Sequence, residues 1–216
     1  MPMQKRLREI CSKQGLPPRT PGTGLLVGSP YHDEVMRVYQ RLGGCLPQYP
    51  IRAGTYDIST ENFDMELDEY LHFNRYRQIT LGSAIYNKLP KFPMTLYDGW
   101  CEVAGAAERK CLHAGSHGKR WRTDSADRQF GISNAPGDLS GNGSSRWKQR
   151  AFYDYLKDVL QLLPGHSPLV RISIYDQVKT DKGDFTVEQI LKAPDYMDYA
   201  ASIIALIESR LPEIEK

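Results

Sequence analysis

Residues 56–72 read YDISTENFDMELDEYLH, and the alternation within them sets the fold. The pattern fits two short strands joined by a polar turn. Asp57 lies on the first strand, and Glu66 and Asp68 lie on the second. Successive strand side chains point to opposite faces. Phe63, Met65 and Leu67 therefore form an apolar face, and Asp64, Glu66 and Asp68 form a column of carboxylates. Stacked like charges repel unless something positive lies among them, and a hard divalent cation such as Mg²⁺ or Mn²⁺ meets that need. The alternative is a solvated strand face whose charges discourage edge pairing.

On neighbouring strands, whose backbones lie about 4.8 Å apart, Asp57 and Glu66 can hold one ion between them. Asp68 is a third metal-ligand candidate on the same face. His72 follows within a short turn, where an imidazole can transfer a proton or ligate the metal.

Working outward, residues 1–15 suit a short basic helix, and GLPPRTPGTG at 15–24 is a turn-rich linker, so residues 1–28 form a basic segment and linker. Ser29 and Pro30 signal a helix start. Val35, Val38, Tyr39 and Leu42 recur at helical spacing, with Glu34 at the edge of their stripe. A strand is expected near 46–51. After His72, Tyr76, Ile79 and Thr80 give a helical face with Arg75 and Arg77 on its rim. Residues 87–145 read as a loop-rich insertion with one helical candidate at 98–110 and the turn-rich run GISNAPGDLSGNGSS. Phe152, Leu156, Val159, Leu160 and Leu163 mark a strong helix, LVRISIYDQV a strand, and Met197, Ala200, Ala201, Ile204 and Ala205 the inner face of a last helix. Helices alternating with strands over 29–216 predict a mixed α/β domain, a sheet covered by helices.

Asp57, then Glu66-Leu67-Asp68, then His72 resembles the PD-(D/E)XK, or restriction-endonuclease-like, nuclease superfamily. It is most similar to the very-short-patch-repair-like branch, whose second strand reads acid-x-acid followed by histidine. The resemblance covers roughly residues 30–85. It implies a central mixed sheet flanked by helices and Mg²⁺-dependent hydrolysis of DNA phosphodiesters. It also implies an acid on the preceding helix, a role Glu34 matches. Two departures stand out: Tyr56 precedes Asp57 where the family has proline, and Asp68 replaces the final lysine. His72 is then the candidate proton-transfer group, and Lys148 a distant charge stabiliser. The implied partner is double-stranded DNA, and a homodimer would cut both strands.

Elsewhere, Cys101, Cys111, His113 and His117 offer four zinc-type ligands, although the short Cys pair of familiar fingers is missing. The competing expectation is a buried Cys111 with exposed histidines. Lys119, Arg120 and Arg122 surround Trp121, and Arg146, Lys148 and Arg150 surround Trp147. Together with Arg75 and Arg77, these basic residues are candidate DNA contacts and the tryptophans candidate stacking platforms. Otherwise both tryptophans are core anchors. Asp154 carries no assigned chemistry. No Gly-Lys-Ser/Thr loop marks a nucleotide site.

The bulk properties narrow the classes. Lys plus Arg number 28 against 26 Asp plus Glu, a formal charge of +2, so any nucleic-acid contact must come from local clusters. No apolar run approaches the ~18 residues of a membrane span. The basic N-terminus lacks the apolar core of a secretory signal. Four scattered cysteines suit a reducing cytoplasm. The expectation is a metal-dependent endonuclease. Its rivals are a nuclease-like module that binds DNA or protein without catalysis, and a structural zinc domain.

Overall fold

The computed structural model describes residues 1–20, 23–26 and 28–212. Positions 21, 22 and 27 of the expected N-terminal linker segment, and 213–216 of the expected domain, lie outside the described residues. In chain order the elements are α1 (Met3–Lys13), β1 (Thr23–Leu25), α2 (His32–Arg41), β2 (Arg52–Thr55), β3 (Ile58–Ser59) and β4 (Asp64–Asp68). A 3-10 turn (Tyr70–His72), α3 (Arg75–Leu81) and a second 3-10 turn (Ala84–Lys88) follow. Next come α4 (Met94–Trp100), α5 (Ala106–Gly115), α6 (Gly118–Trp121), α7 (Asp124–Phe130) and α8 (Ser145–Leu160). The chain continues through β5 (Leu169–Ser173), β6 (Gln177–Thr180), β7 (Gly183–Thr186), α9 (Val187–Lys192), a 3-10 turn (Tyr196–Tyr199) and α10 (Ala200–Ser209). The architecture is mixed α/β, with small sheets flanked by helices.

The chain divides into two compact units. The first comprises Met1–Thr23, Thr55–Asp68 and Gly165–Lys216. Its sheet has the order β3-β4-β5. β3 and β4 form the expected antiparallel hairpin, with Ile58 opposite Met65 and Ser59 opposite Asp64. β5 pairs with β4 in parallel, which places Arg171 beside Glu66 and Ser173 beside Asp68. Every β4 residue is buried, so the solvated strand face does not exist. Asp57 falls just before β3 rather than on it, because its carboxylate bonds the β4 backbone instead of extending the ladder.

The strand expected over LVRISIYDQV breaks after Ser173, where the Asp176 carboxylate takes the Ser173 N–H at 2.7 Å and turns the chain into the β6–β7 hairpin. The last helix buries Ala200, Ile203 and Ile207, while Ala201 and Ala205 are exposed. The preceding 3-10 turn shifts the phase, and the larger isoleucines take the inner face.

The second unit comprises Gly24–Gly54 and Glu69–Pro164 and is mostly helical. α8 is its axis, buried on nearly all sides by Trp147, Phe152, Tyr155, Leu156, Val159 and Leu160. α2 starts two residues later than expected, because the Ser29 hydroxyl accepts from Tyr31 N–H and closes a local turn instead of capping a helix. The strand expected near 46–51 lies at β2 instead; Pro47 and Pro50 lack the N–H that a ladder needs.

The span 87–145 is helical where loops were expected, with α4 to α7 lying inside it. Its apolar residues are too sparse to show a period, yet Tyr97, Cys111, Trp121, Ala126 and Phe130 are all buried. The turn-rich run after α7 does lack helix and strand, and is held by Asn142 Nδ2 donating to Phe130 O at 3.0 Å and Ile132 O at 2.9 Å. Gly143 is required there: a Cβ on it would stand 1.9 Å from the Tyr76 hydroxyl.

Arg75 and Arg77 are structural, not a free rim. Asn74 caps α3 by accepting from Tyr76 and Arg77 N–H. Arg77 is 1% exposed and donates to Asp158 at 2.7 Å. Arg75 donates from Nε and Nη2 to Glu108 at 2.8 and 2.9 Å. Burial alone would raise the Glu108 carboxyl, but Arg75 and the N–H groups of Ala104 and Arg75 outweigh it and hold it below its usual range. A depressed carboxyl contributes stability that is present above its unfolded value, about 4.3, and is lost as pH falls through the folded value. Glu108→Gln should lower unfolding free energy at pH 7 by about 3 kcal/mol, and the gap to wild type should shrink below about pH 4. Urea denaturation across pH checks this; a gap independent of pH would contradict it.

Candidate metal centre

The β4 carboxylates are buried and Asp57 is half-buried, and each has a partner. Asp57 and Glu66 do meet across the hairpin, as their positions predict, and they brace it. Asp57 Oδ2 accepts from Leu67 N–H at 3.0 Å, and Glu66 Oε1 accepts from Asp57 N–H at 3.1 Å. Asp57 Oδ1 takes a third bond from Gln4 Nε2 at 2.6 Å. Asp64 accepts from the Ser59 hydroxyl.

Asp68 faces a cation that belongs to the chain. Arg171 Nη1 donates to both its oxygens, at 2.9 and 3.0 Å, and each side chain is 1% exposed. A second such pair lies nearby in the fold, where Arg210 bonds Asp176 and donates to Arg171 O at 2.6 Å. Burial raises the Asp176 carboxyl, and the Asp68 charge raises it further against the pull of Arg210. The positive charge demanded by stacked carboxylates is thus supplied at least in part by arginine. Arg171 was detectable: it is the one charge in LVRISI, and period two places it with the carboxylates.

His72 sits in the 3-10 turn four residues beyond Asp68. Its Nδ1 lies 2.8 Å from Asp154 Oδ2. Asp154 is on α8 and 3% exposed. Asp68, His72 and Asp154 each offer one ligand atom, and these atoms lie within 4.8 Å of one another. Among the described residues this is the only group of three or more His, Cys, Asp or Glu side chains so placed. Two carboxylates and an imidazole form a donor set that suits Mn²⁺ and accommodates Mg²⁺. The cluster shares Asp68 with the expected Asp57–Glu66–Asp68 set, adds His72 as a ligand candidate, and brings in Asp154. Asp154 escaped the sequence because His72 lies 82 residues away in the chain, while its own helix neighbours Arg150, Lys157 and Asp158 read as a surface charge network.

The remaining candidates lie elsewhere. Glu34 accepts from the Ser83 hydroxyl at 2.6 Å and from Ala84 N–H at 3.2 Å, and pairs with Arg37. Lys148 donates to Asn142 Oδ1 at 2.6 Å and lies over the Tyr76 ring. Six residues of helix turn it well away from the Asp154 direction. Its ammonium is lowered by burial.

The four zinc candidates are not brought together. Cys101 and Cys111 are buried, while His113 and His117 are exposed. Burial pushes the Cys111 thiol up to about 12, against the thiolate that zinc requires. His113 instead lines a cavity of about 570 Å³ with Tyr70, Ala106, Arg109, Lys110 and Ala114.

Trp121 and Trp147 are fully buried against each other, with centroids 5.3 Å apart, so they are core anchors and not stacking platforms. Arg122 pairs with Asp127. Lys119 and Arg120 are exposed, and Arg146 and Arg150 are half-buried.

These features define a mixed α/β chain with a buried arginine–carboxylate pair on its strand face and an Asp-His-Asp group able to coordinate a metal ion. Residues 37–193 match the model of a family of unknown function, DUF7255, and the chain belongs to that family. No curated protein and no solved structure matches it. Among the described residues, no helix is long and apolar enough to cross a membrane.

Removing one member of the Asp68–Arg171 pair leaves the other charged and buried. Asp68→Asn and Arg171→Met should each lower stability by about 3–5 kcal/mol, whereas the double variant should recover much of the loss. A double-mutant cycle by chemical denaturation measures this; additive losses would contradict the pairing.

Proposed function

We propose that the chain is a divalent-metal-dependent nuclease that hydrolyses phosphodiester bonds of DNA, with its centre at Asp68, His72 and Asp154. The observation that carries this reading is the convergence of those three ligand atoms. When bound, such an ion would supply Lewis-acid polarisation of a phosphoryl oxygen.

The chain's own groups have distinct tasks in this reading. With Asp154 ionised, His72 Nδ1–H donates to Asp154 Oδ2, so the basic lone pair rests on Nε2. That lone pair is the one His72 would offer to the ion, and the Nδ1–H bond to Asp154 fixes the ring that carries it. Arg171 fixes the Asp68 carboxylate from behind, the role that outer partners play for metal ligands. Asp57 and Glu66 hold the hairpin that carries Asp68, which is a positioning task. Lys110, Arg109 and His113 around the cavity beside Tyr70 offer a basic surface for a phosphate backbone. Double-strand cutting with one centre per chain requires a homodimer or two successive nicks.

One observation favours a second reading, a nuclease-like module without catalysis. Arg171 already bonds both oxygens of Asp68, so that carboxylate has its counter-charge without a metal. The two readings part on metal affinity. Calorimetric titration of Mn²⁺ should show binding to the wild type and a roughly 10–100-fold loss in Asp154→Asn. His72→Ala should reduce Mn²⁺-dependent DNA cleavage by about 100-fold or more. Absence of Mn²⁺ binding and of cleavage in the wild type would leave the non-catalytic module.

A further inference from the structure

α8 carries Arg146, Arg150 and Asp154 at successive four-residue steps, which places them in a column on one face of the helix. α6 packs on the same helix and brings Arg120 to this group. Arg120 is anchored by donating to Ala114 O at 3.0 Å, and Arg146 by bonding Gln149 Oε1. A guanidinium has five N–H donors, so each anchoring bond leaves most of the donors for other acceptors.

Arg150 has no such anchor at Nη1, a buried atom without a hydrogen-bond partner among the described residues. Trp147 Nε1, three residues earlier on α8, is a second buried donor in the same condition. Buried donors are almost always satisfied, so the Arg150 nitrogen calls for an acceptor.

The charges around Arg150 point the same way. Burial lowers its guanidinium first, and Arg146 and Arg120 lower it further. Asp154 opposes this with one negative charge against three cations. Cys111, the other neighbour, is held protonated by burial and brings no negative charge at neutral pH. Three cations thus gather around too little negative charge. Arg120 is exposed, so the group is open to solvent from its side.

We propose that Arg120, Arg146 and Arg150 form a binding site for the oxyanion of a phosphate group. Arginine suits this role because its planar fork matches phosphate oxygens in charge and geometry. Phosphate would bring negative charge to the three arginines and an acceptor to the buried Arg150 nitrogen. The site stands without a metal at Asp154. It relies on the nuclease reading only for the claim that the phosphate belongs to a nucleic-acid backbone rather than to a free ion.

The test runs in EDTA, so a failure of metal binding cannot mask or mimic its outcome. Thermal unfolding is followed in inorganic phosphate against chloride of equal ionic strength, and a fluorescein-labelled DNA duplex is titrated by anisotropy. Phosphate should raise the wild-type melting temperature, and Arg150→Met should abolish that rise while folding at least as stably as wild type without phosphate. Arg146→Gln and Arg120→Gln, at half-buried and exposed positions, keep the test valid if the buried variant does not fold. Each should weaken the anion's effect by about tenfold. Duplex binding that phosphate competes away, and that the same variants weaken, assigns the site to a nucleic-acid backbone. A phosphate effect without duplex binding assigns it to a free phosphate. Absence of any phosphate-specific shift, with duplex affinity equal in wild type and variants, overturns the site.

Discussion

A carboxylate inside a protein needs a partner, and in this chain the demand is concentrated on β4. Asp68 and Arg171 are both 1% exposed and bonded through two N–H···O contacts. Taking such a pair out of water costs several kcal/mol per ion, so the geometry has to be held from outside. Arg210 does this by bonding Arg171 O and Asp176 at once. The parallel register of β4 and β5 does it by placing Arg171 beside Glu66, two residues from Asp68. Ser173, whose N–H binds Asp176, is where the strand must end. The charge pair, the strand pairing and the turn into β6 are therefore one arrangement.

The second unit answers the same demand in the same way. Arg77 with Asp158 and Arg75 with Glu108 pin α3 to α8 and to the start of α5. His72 and Asp154 belong to the same pattern of buried charged partners, with one difference that matters for function. Imidazole can change protonation near neutral pH and can ligate a metal, and the arginines can do neither.

The alternation in 56–72 was enough to show the hairpin and its carboxylate face, and the pattern of α8 was legible from Phe152, Leu156 and Leu160. What was hidden depended on distance along the chain. Asp154 is 82 residues from His72, and Arg171 is 103 residues from Asp68, so neither pairing leaves a local trace. The helices within 87–145 were concealed because their burial comes from isolated residues such as Tyr97 and Phe130. Basic residues flanking Trp121 and Trp147 suggested stacking, but a fully buried indole next to charged residues is simply a core residue at a surface boundary. A strand face of acids can draw positive charge from the chain's own arginine as well as from a metal.

The central claim is that Asp68, His72 and Asp154 coordinate a divalent ion although Arg171 already balances Asp68. Diffraction from crystals grown in Mn²⁺, read at the manganese absorption edge, tests it most directly. One anomalous peak bonded to Asp68, His72 and Asp154 is expected, with Arg171 still paired to Asp68. A peak at other residues, or none at saturating Mn²⁺ with the His72–Asp154 bond unchanged, would contradict it.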